Sequence, residues 1–317
     1  MEAERAPVLR DFEEKLSLLK ERRPVLIAGP TASGKSALAL ELAERVAGTV
    51  INADSMQVYA ELRILTARPT EVEEARVLHR LYGHVPIRDG YSVGRWLSDV
   101  ELAIEEAMAS RRVPIVVGGT GMYFKALTQG LSPIPEIPAE IREPIRRRLA
   151  EEGAEALYAE LSARDPDAAE RLPPSDPHRI LRALEVHEAT GRPISEWQRQ
   201  SPGPALIDPA TAAKLVLWPD RDRLRARIDE RVDVMLAAGA LEEARAVMEM
   251  ELDHDLPGYR AHGLRPLIAH LRGELTLEQA AEKTRAETRQ YAKRQFTWFR
   301  HQMDGWERMA PPWQSDP

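Results

Sequence analysis

Gly29-Pro30-Thr31-Ala32-Ser33-Gly34-Lys35-Ser36 fits the spacing G-x-x-x-x-G-K-[ST], and that spacing has a physical use. Backbone N–H groups of a glycine-rich turn, with the positive end of the helix that follows, converge on an oligophosphate. Lys35 adds a point charge, and the Ser36 hydroxyl can hold Mg²⁺. These residues alone leave open whether the phosphate is that of ATP or of another diphosphate. Three other positions could act beside such a ligand. Asp54 opens Asp54-Ser55-Met56-Gln57-Val58-Tyr59; its carboxylate can hold Mg²⁺, orient a nucleophile or take its proton, or it can simply cap a helix. Gly118-Gly119-Thr120-Gly121 brings backbone and a hydroxyl close to a ligand, or is only a turn. Arg221 could reach a leaving diphosphate, or be a surface arginine.

The elements needed to bring these residues together can be read in the pattern. Val25–Ala28 is a short apolar run of the kind found in a buried strand, and Ala37 to Val46 places Leu38, Leu42 and Val46 on one helical face. Further strands are expected at 49–53, ending at Asp54, at 113–117 and at 215–218, with helical stretches between them such as 98–108. Alternation of this kind predicts an α/β fold, a P-loop parallel sheet flanked by helices. Ligands of such sheets bind at the carboxyl ends of the strands, which is where the loop, Asp54 and Thr120 stand. From about Pro133 to Pro204 strand-type runs disappear and helical periodicity dominates, between Pro133, Pro135 and Pro138 and the segment Pro202-Gly203-Pro204. The expected organisation is a first part of the core over 1–132, a helical insertion domain over 133–204, and a second part of the core over 205–317 with a basic C-terminal helix. Helices are expected over 221–250 and 277–303, and an amphipathic helix over 10–20. Ala310 to Pro317 reads as a loose tail.

Composition narrows the function classes. The chain has 317 residues, 43% hydrophobic and 30% charged, with no cysteine. That is the balance of a soluble globular protein. No run reaches membrane-spanning length, and the charged start (Glu2, Glu4, Arg5) is unlike a secretory signal. Absence of cysteine excludes disulfides, thiolate zinc sites and a cysteine nucleophile, and suits a cytoplasmic enzyme. The eight histidines show no metal-ligand spacing. A net charge of −7 argues against a polyanionic partner, but local fields decide where a polyanion docks. Arg142, Arg146, Arg147 and Arg148 form one basic cluster; Lys283, Arg285, Arg289, Lys293, Arg294 and Arg300 form another. Either could be a docking face or a solvated helix face. Ala292, Phe296 and Phe299 share a helical face, so the aromatics among these cations read as core rather than as stacking platforms.

Taken together the segments resemble the tRNA dimethylallyltransferases of bacterial type. The resemblance rests on GPTASGKS (Gly29 to Ser36), DSMQVY (Asp54 to Tyr59), VGGTGMY (Val117 to Tyr123), KALTQGLSPIP (Lys125 to Pro135), DPHRILRALEVHEATGRPI (Asp176 to Ile194) and TRQYAKRQFTWFR (Thr288 to Arg300). It implies transfer of a dimethylallyl group from dimethylallyl diphosphate to N6 of the adenosine 3′ of a tRNA anticodon (position 37). It also implies roles: Asp54 as general base, Thr120 beside the oxygen linking prenyl group and diphosphate, Thr31 to Ser36 around the diphosphate with Mg²⁺, and Arg221 assisting. Segments matching those that touch tRNA include Asp54, Ser55, Met56 and Gln57, together with Thr120 and Arg142. They continue with His178, Arg179, Ile180, Leu181 and Arg182, then Arg260 and Arg265, and finally Lys293, Arg294 and Arg300. The implied insertion domain would act as a tRNA clamp.

The chain departs from the family pattern in two places. Arg63-Ile64-Leu65-Thr66-Ala67-Arg68-Pro69 stands for D-I-G-T-A-K-P, and His262-Gly263-Leu264-Arg265 stands for V-G-Y-R. Two enzyme alternatives share the loop: an adenylate dimethylallyltransferase acting on free nucleotide, and a small-molecule kinase using ATP. A non-catalytic RNA-binding module is a third. The basic C-terminal helix and the 178–182 segment disfavour the first two, and intact Lys35, Ser36, Asp54 and Thr120 disfavour the third. A monomer is expected.

Overall fold

A computed structural model describes residues 23–314. The expected helix over 10–20 and the last three residues lie outside them. The described chain forms two compact units, one made of the segments up to Thr128 and from Leu206 onward, the other of Gln129–Ala205.

The first unit is built on a six-stranded, all-parallel sheet. Its strands are β1 (Val25–Ala28), β2 (Gly48–Asn52), β3 (Leu78–Arg80), β4 (Val113–Gly118), β5 (Ala213–Leu217) and β6 (Glu307–Met309). They lie in the order β3-β2-β4-β1-β5-β6. The central strands are mostly apolar because helices cover both faces. Leu26, Ala28, Ile51 and Val116 pack on one side with Trp96, Val100 and Phe124. Val25, Ile27, Val50 and Ile115 pack on the other with Leu38 and Leu42. Those partners come from α1 (Lys35–Val46), α3 (Val93–Ala109) and α4 (Gly121–Gln129); a short α2 (Glu71–Arg76) precedes β3.

β3 and β6 have no counterpart among the expected strands. Each has three residues, none of them buried, on a sheet edge, so neither produces an apolar run. The helix expected over 221–250 is two: α9 (Arg221–Ala237) and α10 (Ala240–Glu249), separated at Gly239 with φ +105°. Asp220 caps α9 by accepting from the N–H groups of Asp222 and Arg223. The second unit contains α5 (Ala139–Arg164, broken at Gly153), α6 (Pro166–Arg171), α7 (Pro177–Thr190) and α8 (Ile194–Arg199), with its own apolar core. Back in the first unit, α11 (Leu264–Leu271) precedes α12 (Leu277–Gln302), which opens with a Thr276/Gln279 capping box. No helix among the described residues is long and apolar enough to cross a membrane.

The expected loose tail over Ala310 to Pro317 is corrected for its described part, 310–314. After β6 the chain turns at Pro312–Gln314 and docks, with Trp313 bonded to the loop after β1 and Gln314 bonded at the start of α9. An indole and an amide anchor a segment whose proline content suggests a loose end.

Candidate active site

Parallel register aligns the strand ends. Ala28 pairs with Gly118, and Asn52 with Val117. The loops after β1, β2 and β4 are therefore neighbours, and they carry the phosphate loop, Asp54 and Thr120. Buried Asn52 holds the loop after β2. Its Nδ2 donates to the carbonyls of Asp54 and Leu81, and its Oδ1 accepts from the Asp54 N–H. One Asp54 oxygen accepts from the Met56 N–H at 3.0 Å. Thr120 Oγ1 accepts from the Ser55 N–H at 2.9 Å and donates to Ser55 Oγ, joining the two loops directly.

The close approach depends on glycine. A Cβ on Gly118 would lie 2.0 Å from the Ala53 carbonyl oxygen, and one on Gly121 would lie 2.0 Å from the Trp298 ring. Gly34 has φ +87°, a left-handed conformation in the turn that leads into α1.

Gln295, buried on α12, ties the phosphate loop to the same turn. Its Oε1 accepts from the Thr31 N–H at 2.9 Å and its Nε2 donates to the Gly119 carbonyl at 2.8 Å. Lys35 Nζ donates to the Pro30 carbonyl at 3.3 Å. Burial pushes the Lys35 ammonium down to about 8, the Asp54 charge opposes that shift, and Arg231 adds to it. Asp54, Thr31, Arg231, His262 and Tyr291 line one cavity. Burial moves His262 down to about 4, helped by the Arg294 charge, so its imidazole is neutral near pH 7. Burial also raises Tyr291, as does the Asp54 carboxylate.

Three contributors carry no motif signature of their own, Arg227, Arg231 and Trp313, and a fourth, Gln295, lies within the segment Thr288 to Arg300 without having been singled out there. Arg227 Nε donates to the Ala32 carbonyl, and Arg231 donates to the Thr66 carbonyl. The spacing of Arg227 and Arg231 on α9 was the available signal, since residues four apart share a helix face. Arg221, at the α9 start beyond β5, lies over the Phe296 ring at 5.7 Å.

The basic residues sort by partner. Arg285 is paired with Asp233, and Arg289 with Asp229 at 2.6 Å, joining α12 to α9. Lys293, Arg294 and Arg300 are exposed and form no ion pair among the described residues. Arg260, Arg265 and Arg294 line a second cavity with His262 and Tyr259. In the helical unit Arg148 is tied to Glu152 and Glu160. Arg146 and Arg182 flank buried Glu185, whose carboxyl is raised by burial while Arg146, Arg182 and Arg142 pull it down. Three of the residues expected in RNA-contacting segments have buried side chains. Ile180 and Leu181 pack in the core of the helical unit, and Gln57 is buried with its amide donated to the Thr66 and Ala67 carbonyls. His178, Arg179 and Arg182, by contrast, are exposed. At the departures from the family pattern, Arg68 donates to the Tyr59 and Ala60 carbonyls, and His262 rests on Tyr291 with ring centroids 4.7 Å apart.

A glycine-rich phosphate-type loop after the strand β1 of a parallel sheet, with a carboxylate after β2 and a hydroxyl after β4 close by, defines the P-loop group-transfer class. The family model described as IPP transferase matches residues 57–302. The chain is 60% identical to a tRNA dimethylallyltransferase of Nitrobacter hamburgensis over 90% of each chain, and 54% identical to one of Rhizobium meliloti over 93% of this chain and 98% of the other. Among solved structures, it is similar to a tRNA isopentenylpyrophosphate transferase of Bacillus halodurans (32% identity, TM-score 0.65, covering 91% of this chain and 90% of that one). It is also similar to a eukaryotic dimethylallyltransferase acting on tRNA (31% identity, TM-score 0.72, 87% and 69% covered). The chain belongs to the IPP transferase family.

Proposed function

We propose that the protein transfers a dimethylallyl group from dimethylallyl diphosphate to N6 of adenosine 37 in tRNA, releasing diphosphate. The observation that carries this reading is the junction of three strand ends, where Gln295 and Thr120 tie the phosphate loop, the glycine turn and the Asp54 loop together.

An adenine amine is a weak nucleophile, so the donor supplies the driving force. Breaking the allylic C–O bond places positive charge on carbon and negative charge on the departing diphosphate. Loop amides, Lys35, Arg221 and Arg231 stabilise that negative charge. Thr120 would sit beside the bridging oxygen. As the C–N bond forms, Asp54 accepts the N6 proton. The target base must leave the anticodon-loop stack to reach the cleft.

The residues fit a magnesium ion and a diphosphate. The Ser36 hydroxyl at the start of α1 is an oxygen donor, and Mg²⁺ takes few protein ligands when substrate phosphates supply the rest. Ser33 Oγ is buried in the loop without a partner among the described residues, a spare donor for a phosphate oxygen. When bound, the ion would offset diphosphate charge. For tRNA, the candidates on the helical unit are half-buried Arg142 and exposed His178, Arg179 and Arg182. Those on the other unit are Arg260, Arg265, Lys293, Arg294 and Arg300, all exposed.

The test is incubation with labelled dimethylallyl diphosphate, Mg²⁺ and either tRNA or AMP. Label should enter tRNA, with diphosphate released only when both substrates are present and with no need for ATP. Label in AMP, or phosphate transfer from ATP to a small acceptor, would overturn the reading.

A further inference from the structure

The docked C-terminal segment reaches the phosphate loop from outside the cleft. Trp313 Nε1 donates to the Ser33 carbonyl at 2.9 Å. The Arg227 guanidinium lies over the Trp313 ring at 4.4 Å while its Nε donates to the adjacent Ala32 carbonyl at 3.3 Å. Two successive loop carbonyls are thus held by an indole and a cation that pack on each other. The next residue anchors the pair: Gln314 Oε1 accepts from the Asp220 N–H at 2.8 Å, and its carbonyl accepts from Arg223 at 3.0 Å. Pairing of β6 with β5 leads the segment to this position.

In a trans peptide the N–H points opposite to the preceding carbonyl, and no cis peptide occurs among the described residues. Holding the Ser33 carbonyl against the indole therefore turns the Gly34 N–H to the side away from Trp313. Gly34 itself has no Cβ to keep the indole away; one would lie 2.9 Å from Trp313 Nε1.

We infer that Trp313 is a positioning residue for the diphosphate, acting through the Ser33–Gly34 peptide. The inference rests on the loop being the diphosphate site. A role of this kind affects one ligand and not the other. Loosening the peptide weakens the diphosphate and leaves the exposed cations of α12 as they were.

The experiment is calorimetric titration of the full chain with inorganic diphosphate and Mg²⁺, beside tRNA binding measured by filter retention and a thermal melt of each variant. Trp313→Phe keeps a ring for Arg227 and loses the N–H; diphosphate affinity should fall about threefold. Trp313→Ala loses both and should fall about tenfold or more. Binding of tRNA should stay within about twofold of wild type, since none of the candidate tRNA-contacting cations is bonded to Trp313. Diphosphate affinities equal to wild type in both variants overturn the inference while leaving the site reading intact. So does a parallel loss of tRNA and diphosphate binding, which marks a general structural role. A wild-type chain that binds no diphosphate removes the site reading and the inference with it. If Trp313→Ala does not fold, Trp313→Phe decides.

Discussion

Around Asp54, backbone groups are answered one by one: Asn52 holds the Asp54 N–H and carbonyl, Thr120 holds the Ser55 N–H, and Gln295 bridges Thr31 and Gly119. Along α12 the arrangement is different. Arg285 and Arg289 are spent on carboxylates of α9, and Lys293, Arg294 and Arg300 stand exposed beyond them. The cleft is defined by main-chain hydrogen bonds and by glycines that admit close approach. The basic face is defined by long side chains in water. Disturbing the first should cost chemistry by orders of magnitude; disturbing the second should cost affinity in small, salt-dependent steps.

The largest effect should come from Asp54→Asn. It keeps the size of the side chain but removes the base. Turnover should fall by about two to four orders of magnitude with tRNA binding little changed. Turnover near wild type would take Asp54 out of the base role and weaken the contrast between the two regions.

Lys35→Ala should slow the chemical step by about a hundredfold or more, because its charge counts most as the C–O bond breaks. The wild-type ammonium, lowered to about 8 by burial, also implies a pH dependence. Its charge is present below about 8 and lost as pH rises through that value, so diphosphate binding should weaken between about pH 7 and 9. Lys35→Arg keeps its charge across that window. Titrations of both proteins at several pH values should show the decline only in the wild type; the same decline in both would assign it to another group.

A smaller effect should follow from Gly118→Ala. The new methyl meets the Ala53 carbonyl oxygen, a backbone atom that cannot swing aside. Stability should fall by about 1–3 kcal/mol, the usual cost of overpacking, and the Thr120–Ser55 junction should open. A thermal melt and a turnover assay on the same sample check both consequences.

The smallest effect separates cations within the basic face. Lys293→Gln and Arg300→Gln should each flatten the salt dependence of tRNA binding by about 0.7 to 0.9 in slope. Arg289→Gln should leave the slope unchanged and cost about 0.5 kcal/mol of stability, because its charge is already paired with Asp229. Equal slopes for all three would erase the distinction drawn from the ion pairs.

Much of the sheet was legible because its central strands are buried on both faces and so read as apolar runs ending at marked loops. That the glycine-rich loop, Asp54 and Thr120 would be neighbours was legible for a related reason: each follows a strand directly, and parallel register brings those strand ends together. Nothing in the residues announced β3 or β6, because an exposed edge strand of three residues has no periodicity to detect. Nor could spacing reveal Gln295 or Trp313. Gln295 lies 264 residues from Thr31 and 176 from Gly119, and Trp313 lies 280 from Ser33. The sequence grouped Arg285, Arg289 and Lys293 in one basic cluster and could not distinguish them. The carboxylates that neutralise the first two belong to another helix, and only packing of α9 against α12 brings those charges within reach. Local pattern determined which strands and loops form, since burial and turn geometry act over a few residues. Which side chains answer one another across the cleft was decided by the tertiary structure, since a hydrogen bond or an ion pair depends on distance in space, whatever the separation along the chain.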